Sequence, residues 1–300
     1  MVRFRYNGHI IGAAFIELKV NENVFVFSGD VGRISDLLMS PPEKPMLADV
    51  LLIESTYGNR IHPENAEEKL IQEINEAYNK QGTIIIPGFA LERIQLLMYM
   101  IWKLKIKKAI PDIPIYMDSP MGKRILEVFI ENQKWHKIPI DEFKEMCNQI
   151  NLVEKMEDTI KTASKKQSKI VIAGSGMATG GRVLTYLQFY LSDPTSTVML
   201  VGYQAEATRG RKMLEGNKEI KIYGKYYNVK ARIVGIEGLS AHADQKELIN
   251  WMSEIKNKPE RIFIVHGEKE GAQGLKTKIK EIYGWYAEIP QLNDVVEIKF

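Results

Sequence analysis

The sequence predicts an α/β protein in which a doubly wound parallel sheet is inserted between two flanking segments rich in β-structure. Hydrophobic and polar residues alternate through residues 1–30, as they do in half-buried strands. Between residues 59 and 205, short apolar runs alternate with amphipathic stretches, which is typical of strands and helices that follow one another in a parallel sheet. A chain of 300 residues with 45% hydrophobic content is long enough for about two domains.

The amino-terminal flank is predicted to form an antiparallel hairpin. Alternation over residues 2–6 and 14–20 indicates two strands, and the turn Asn21-Glu22-Asn23 leads into a third at Val24 to Phe27. A further apolar run, Asp49 to Ile53, predicts a buried strand. Polar loops therefore follow strands at several points in this flank.

The inserted segment is predicted to alternate helices and strands. Pro63 opens an amphipathic helix that Gly82 closes. The ligands of such a sheet bind outside the carboxyl ends of its strands. The remaining predicted elements are strands at Thr83–Pro87, Pro114–Asp118, Asn151–Val153, Lys169–Ala173 and Thr197–Val201, and helices at Glu92–Lys103, Pro120–Ile130 and Arg182–Leu191.

The carboxyl-terminal flank carries one strongly apolar, β-branched run, Arg261 to Val265, which predicts a buried strand with His266 at its carboxyl end. Asp244 stands three residues before Glu247, and this spacing predicts a capping box that opens a helix. We therefore interpret Asp244 as a helix cap rather than as a ligand.

One local pattern recurs along the chain. A hydrophobic strand is followed by a histidine or an acid on a loop that carries glycine or serine, at His9, Asp30, Glu54, His242 and His266. A single loop histidine is usually a structural residue, but five instances suggest loops that converge at one edge of a β-structure. Imidazole nitrogen and carboxylate oxygen form the ligand set expected of zinc at a hydrolytic site.

A glycine-rich loop over residues 174–181 follows a predicted strand and precedes a predicted helix, so its backbone amides are suited to phosphate. A dinucleotide site is the alternative. The glycine spacing of the loop, however, is looser than the G-x-G-x-x-G of dinucleotide sites. The next strand ends in Gly202-Tyr203-Gln204, with no acidic residue to bind a ribose. The pattern favours phosphates of a polymer over a nucleotide cofactor.

Composition sets further bounds. The formal net charge of +3 does not by itself argue for nucleic acid, and the cationic run Thr208 to Lys212 is of a kind that usually forms a solvated face. A single cysteine, Cys147, excludes an internal disulfide and fits a reducing cytoplasm, which is the predicted location. No run approaches the ~20 apolar residues of a membrane span, so no membrane association is expected.

Eight short motifs occur in order along nearly the whole chain. They are Gly8-His-Ile-Ile-Gly12, Ser28-Gly-Asp30, Glu54-Ser-Thr-Tyr-Gly58, Pro87-Gly-Phe-Ala-Leu-Glu-Arg93, Asp118-Ser-Pro-Met121, Ser175-Gly-Met-Ala-Thr-Gly-Gly-Arg182, Gly238-Leu-Ser-Ala-His-Ala-Asp244 and Val265-His-Gly-Glu268. Together they resemble the motifs of the β-CASP branch of metallo-β-lactamase-fold nucleases. The chain is most similar to the bacterial and archaeal RNA-processing exonuclease group, which is related to the eukaryotic pre-mRNA 3′-end cleavage factor.

The resemblance implies a fold and a chemistry. Residues 1–58 and 206–300 would form a truncated metallo-β-lactamase αββα sandwich, and residues 59–205 the inserted β-CASP domain, a doubly wound parallel sheet that closes over RNA. In that family two zinc ions activate water for attack on an RNA phosphodiester bond. The implied contacts to RNA phosphates are Ser119, Ser175 and Gly176.

The resemblance also implies roles for the five loop residues. His9 completes the ligand set of one zinc, Asp30 bridges the two ions and His266 binds the second. His242, held by Glu54, faces the scissile phosphate and helps to protonate the leaving oxygen. Asp30, Glu54 and His242 are thus the implied catalytic residues, and His9, Asp30 and His266 the implied metal ligands.

One part of the family pattern is not found in the chain. The main metal motif of the family is His-x-His-x-Asp-His, and no His-x-His occurs in this sequence. The other histidines are not expected to substitute, since His62 precedes a proline and His136 lies in a polar stretch. With too few ligands for two zinc ions, the chain alone is expected to bind metal weakly and to have little activity.

Three functions remain open at this point. The first is the carboxyl-terminal part of a zinc-dependent ribonuclease, either truncated or completed by a separate amino-terminal polypeptide. The second is a catalytically silent module that binds RNA or a nuclease partner. The third is a nucleotide-binding protein built on the glycine-rich loop. An incomplete sandwich would expose apolar surface, so association as a homo-oligomer is expected.

Overall fold

A computed structural model describes residues 1–298 of the chain. Its strands are β1 (Val2–Tyr6), β2 (Ala14–Val20), β3 (Asn23–Phe27), β4 (Val50–Glu54), β5 (Thr83–Pro87), β6 (Ile115–Asp118), β7 (Asn151–Leu152), β8 (Lys169–Ala173), β9 (Thr197–Val201), β10 (Glu219–Ile222), β11 (Lys225–Asn228), β12 (Arg232–Ile236) and β13 (Arg261–Val265). Its helices are α1 (Ala66–Asn79), α2 (Arg93–Ile106), α3 (Pro120–Glu131), α4 (Ile140–Gln149), α5 (Met156–Ser164), α6 (Val183–Tyr190), α7 (Arg209–Leu214), α8 (Gln245–Trp251) and α9 (Lys269–Tyr283).

The fold is mixed α/β, and the chain divides into two compact units. The first unit contains Met1–His62, Lys134–Lys137 and the chain from Ala241 on, and the second contains Pro63–Gln133 and Ile138–Ser240. Residues 206–240 thus lie in the second unit, although the family resemblance implied that they belong to the first domain. The reason is strand pairing, because β12 adds to the sheet of the second unit beside β9.

The first unit is built on a five-stranded sheet in the order β1-β2-β3-β4-β13. The predicted antiparallel hairpin is confirmed, since β1 pairs with β2 and β2 with β3 in antiparallel register. Strand β4 is parallel to both β3 and β13. Apolar side chains of the sheet pack against α8 and α9, where the Trp251 ring meets the Phe15 ring edge-on at 5.3 Å.

The second unit contains a six-stranded sheet in the order β12-β9-β5-β8-β6-β7, and all its pairs are parallel. The predicted parallel sheet is therefore confirmed. Every residue of β5, β8 and β9 is buried, as expected of central strands covered on both faces. Since Pro87, Asp118 and Ala173 share one register, the loops that follow them leave the sheet at the same edge.

Several helices and strands begin or end at residues other than those predicted. The helix expected from Pro63 begins at Ala66 with Asn65 as its cap residue. Glu54 is the last residue of β4 rather than a loop residue, because it pairs with Val265. Helices α4, α5, α7 and α9 and the hairpin of β10 and β11 were not predicted. No helix within residues 1–298 is long and apolar enough to cross a membrane.

Replacement of Ile84 by alanine should strongly destabilise the second unit. Ile84 is fully buried in central strand β5, so truncation leaves a cavity and should lower the free energy of unfolding by about 2–5 kcal/mol. Urea denaturation measures the change. Ile106→Ala at the exposed carboxyl end of α2 is the matched control and should change it by less than about 0.5 kcal/mol. Similar losses for both variants would contradict the assignment of β5 to the core.

Candidate functional site

The five loop residues singled out by the sequence lie together in the first unit. Asp30 stands between two histidines, with Oδ2 at 3.7 Å from Nε2 of His9 and Oδ1 at 3.3 Å from Nδ1 of His266. The His242 ring lies 4.4 Å from that of His9 and 5.9 Å from that of His266, measured between ring centroids. Nδ1 of His242 contacts both carboxylate oxygens of Glu54, at 3.1 and 3.2 Å.

Glu54 is a buried carboxylate that holds the His242 ring. Its side chain is 1% exposed and also accepts hydrogen bonds from the backbone N–H groups of Val31, at 2.6 Å, and Thr56, at 3.3 Å. Burial alone would raise the pKa of Glu54, but hydrogen bonds from His242, Thr56 and Val31 outweigh burial and hold the pKa below its ordinary value. The ionised carboxylate can only accept, so Nδ1 of His242 carries the proton and the chemistry of the ring falls to Nε2.

His9 is held neutral in a constrained loop. Burial lowers the pKa of His9, and the neighbouring His242 lowers it further. The preceding Gly8 has φ of +65°, and a Cβ there would lie 2.7 Å from the carbonyl oxygen of Ser40. Only glycine fits this position without strain, so the loop that presents His9 depends on it. A neutral imidazole is the form of histidine that binds a metal ion.

His266 is the most accessible member of the group, with 58% of its side chain exposed. It directly follows β13, as predicted, and adopts a positive φ of 48°. Its carbonyl oxygen accepts a hydrogen bond from the N–H of Ser55 at 3.1 Å, and Oγ1 of Thr56 lies 3.2 Å from its Nδ1. The loop after β4 therefore fixes the loop after β13.

The donor set fits a divalent metal ion. His9, Asp30 and His242 each offer one ligand atom, and these atoms lie within 4.8 Å of one another. Zinc binds nitrogen and carboxylate oxygen at about 2.0–2.2 Å, so two ligands of one ion are separated by at most about 4 Å, and small side-chain movements would suffice. His242, for which the resemblance implied only a catalytic role, belongs to this cluster. His266 lies beside Asp30 but outside the cluster that the described residues form.

Two supporting residues were missed. His62 donates from Nε2 to the carbonyl oxygen of His242 at 2.9 Å, so it fixes the backbone of that residue. The side-chain amide of buried Asn7 donates to the carbonyl oxygens of Ser28 and Asp30, at 2.7 and 2.6 Å. The position of Asn7, just before Gly8, was a usable signal, whereas no local pattern connects His62 with a partner 180 residues away.

Asp244 is a helix cap, as predicted. Its side chain accepts from the N–H of Glu247, and the Glu247 side chain accepts from the N–H of Asp244, which together form the capping box of α8. Asp244 also accepts from the backbone N–H of His62 at 2.9 Å. The cap thus links α8 to the segment that supports His242.

A separate cavity of about 670 Å³ lies within the second unit, at the carboxyl edge of its sheet. Ser119 and Ser175, two of the three predicted phosphate contacts, line this cavity. Gly176 is not among the lining residues and lies against the Phe89 ring, which a Cβ on Gly176 would approach within 2.6 Å. The other lining residues include Arg124 and Arg182.

The two serines differ in their surroundings. Oγ of Ser119 accepts from the N–H of Gly122 at 3.0 Å and so caps α3, which leaves its hydroxyl proton able to donate. Oγ of Ser175 lies 3.1 Å from Oγ1 of Thr179 within the glycine-rich loop. Each serine thus brings a hydroxyl group that is able to donate to the lining of the cavity.

Comparison with known proteins identifies two domains in the chain. Residues 94–213 match the Beta-Casp domain, and residues 226–290 match the Zn-dependent metallo-hydrolase RNA specificity domain. The chain belongs to the β-CASP family of the metallo-β-lactamase fold. Ser119 and Ser175 fall within the first match, and His242 and His266 fall within the second.

Two curated relatives align with this chain over most of its length. It is 31% identical over 275 residues to Ribonuclease TTHA0252 of Thermus thermophilus and 34% identical over 276 residues to the RNase J-like protein of Methanocaldococcus jannaschii. Both alignments cover 89% of this chain, but only 62% and 64% of the respective relatives. The chain therefore spans less than two thirds of the length of these two proteins.

A solved structure shares the fold. The crystal structure of a protein of unknown function from Enterococcus faecalis superimposes with a TM-score of 0.50 and covers 97% of this chain and 62% of that one. The sequence identity is 13%, so the likeness concerns the fold alone.

Asp118, which also lines the β-CASP cavity, is a buried acid with an elevated pKa. Its Oδ2 accepts from Oγ1 of Thr159 at 2.6 Å and from the Tyr186 hydroxyl at 2.8 Å. Its Oδ1 is buried and has no hydrogen-bond partner among residues 1–298. Burial raises the pKa of Asp118, and the two hydrogen bonds offset only part of that effect.

Asp118→Asn should change how the stability of the protein depends on pH. Because the pKa of Asp118 is raised, the folded state binds this proton more tightly than the unfolded chain does. The stabilisation from that proton is complete below the ordinary aspartate pKa of about 3.9 and is lost as the pH rises through the raised value. The free energy of unfolding of the variant, minus that of the unsubstituted protein, should therefore increase with pH across this window.

Chemical denaturation at a series of pH values measures this difference. Asp141→Asn at the exposed start of α4 is the control for removal of a carboxylate at an exposed position. A flat difference for Asp118→Asn would show that the buried carboxyl does not retain its proton more strongly in the folded state.

Proposed function

We propose that this chain takes part in zinc-dependent hydrolysis of RNA phosphodiester bonds, as the carboxyl-terminal part of a complete nuclease. The observation that carries the proposal is the cluster of His9, Asp30 and His242, in which the His242 ring is oriented by the buried Glu54. Imidazole and carboxylate donors beside a carboxylate-held imidazole are the groups expected at a hydrolytic zinc site, where the held imidazole can act in proton transfer.

RNA is the proposed substrate for two reasons. The relatives that the chain resembles are named a ribonuclease and an RNase J-like protein, and the carboxyl-terminal match is to an RNA specificity domain. In the second unit, Ser119 and Ser175 offer hydroxyl donors to a phosphate, while Arg124 and Arg182 offer positive charge. Gly176 contributes by letting the Phe89 ring lie over the loop.

In this proposal some side chains of the first unit bind the metal and others take part in proton transfer. When bound, zinc would lower the pKa of water and neutralise charge on the phosphate. His9, Asp30 and His266 would hold the metal, and Asp30 contacts both imidazoles. His242 would act in its doubly protonated form: Glu54 holds the Nδ1 proton, and the Nε2 proton would pass to the leaving oxygen.

The metal-binding side chains of this chain are too few for two zinc ions. Catalytic zinc sites use three protein ligands, and two ions would need more donors than His9, Asp30, His242 and His266 supply. We propose that another polypeptide segment provides them, and that the chain alone binds metal weakly. Association with that segment or with a second copy would also cover apolar surface such as the exposed Phe4 on edge strand β1.

RNA cleavage by the chain should appear on addition of an amino-terminal polypeptide that carries His-x-His-x-Asp-His, and His242→Ala should abolish it. Loss of the positioned imidazole removes proton transfer, an effect of about 10²-fold or more. His136→Gln is the control, since it alters a histidine outside the cluster. Degradation of a labelled RNA reports activity, and inductively coupled plasma mass spectrometry reports bound zinc.

Zinc content separates the two possible roles of His242. His9→Ala should lower bound zinc, whereas His242→Ala should retain it if His242 is a proton donor. RNA that is bound but never cleaved in any mixture would instead support a catalytically silent module. A nucleotide that copurifies with the chain, with no dependence on His266, would support the nucleotide-binding alternative.

A further inference from the structure

The hairpin of β10 and β11 turns through an unusual pair of residues. Ile222 pairs with Lys225, so the loop consists of Tyr223 and Gly224 alone. Both have positive φ, 46° and 84°, which is the backbone of a type I′ turn. Asparagine, aspartate or glycine normally occupies the first position of such a turn, because a larger side chain is strained there.

Packing within the protein does not explain this tyrosine. Tyr223 is 63% exposed, so burial of its side chain contributes little stability to offset the cost of its strained backbone. Strained residues that are not required by packing often mark functional positions. The aromatic ring therefore points to a ligand outside the chain.

Tyr223 lies where two cavities of the second unit meet. It lines the 670 Å³ cavity that contains Ser119 and Ser175, and it also lines a neighbouring cavity of about 800 Å³. Gly181 of the glycine-rich loop is shared by both as well. A chain-like ligand that passes from one cavity to the other would cross the Tyr223 ring.

The second cavity is cationic and carries another tyrosine. Arg209, Lys212 and Lys221 line it, against one carboxylate, Glu219. Nζ of Lys221 lies 5.5 Å from the centroid of the exposed Tyr226 ring. Exposed aromatic rings next to cations are the arrangement by which proteins bind single-stranded nucleic acid without reading its sequence.

Arg209 has a structural role in this arrangement. Its Nε donates to the carbonyl oxygen of Lys221 at 2.7 Å, and its Nη1 donates to that of Thr179 at 3.0 Å. One side chain thus ties α7 to the hairpin and to the glycine-rich loop. The hairpin is held against the cavities, with Tyr223 at its tip.

We propose that Tyr223 is a stacking platform for a base of single-stranded RNA whose backbone passes from the serine-lined cavity to the cationic cavity. This inference rests on the proposed function in taking RNA as the ligand. It adds a second contact region, made by α7 and the hairpin, that the motifs of the sequence analysis did not include.

Tyr223→Asn provides the sharpest test, because stability and binding should move in opposite directions. Asparagine suits the positive φ of the turn, so the thermal midpoint of the protein should rise. Loss of the ring should weaken binding of a fluorescein-labelled oligouridine RNA of about 12 nucleotides by about tenfold or more, measured by fluorescence anisotropy in EDTA. Tyr223→Phe keeps the stacking surface and should bind within about twofold of the unsubstituted protein.

Two further variants complete the design. Tyr286→Ala removes an exposed tyrosine of the first unit and should leave RNA affinity unchanged. Lys212→Gln should reduce the slope of log affinity against log salt concentration by about 0.7, the value for one phosphate contact on a single strand.

The outcomes separate this inference from the function on which it rests. If the unsubstituted chain binds the RNA and Tyr223→Asn binds it equally well, the stacking role is wrong while the proposed function stands. If the unsubstituted chain does not bind the RNA, both fail. A rise in thermal midpoint together with weaker binding supports the inference.

Discussion

The buried contact between Glu54 and His242 is the interaction on which the candidate metal centre depends. A carboxylate with 1% exposure is tolerated only because three donors, from His242, Val31 and Thr56, compensate it. Val31 and Thr56 adjoin the loops that bear Asp30 and His266. The same carboxylate thus orients one imidazole and holds two further loops, so loss of the charge would loosen the centre as a whole.

Parallel pairing explains why the polar loops gather at one place. In the first unit, the register of β4 with β13 sets Glu54 beside Val265, and His266 follows at once. In the second unit, the register of β6 with β8 sets Asp118 beside Ala173, so that Ser119 and Gly174 leave the sheet together. Each unit therefore concentrates polar groups at the carboxyl edge of its parallel strands.

The sequence predicted these features where the signal was local. Strands β5, β8 and β9 are continuous apolar runs because both faces are covered, and each site residue of the first unit stands at or just beyond the end of a strand or in a glycine-bearing loop. The sequence did not predict partners distant along the chain, such as His62 for His242. It also missed the β10 and β11 hairpin, because Tyr223-Gly224 lacks the usual Asn-Gly turn signal. The position of β12 follows from its pairing with β9, which no local pattern encodes.

The parallel pairing of β4 with β13 joins residues more than 200 positions apart. During synthesis, all residues of the second unit emerge before β13. That unit can therefore form its core on the ribosome while the sheet of the first unit still lacks β13. Formation of the centre at Glu54, His242 and His266 must then be a late event in folding, slowed by the entropy of closing so long a loop. Until β13 pairs, β4 has one edge with unpaired backbone groups. An unpaired edge of this kind can pair with the wrong strand in a nascent chain.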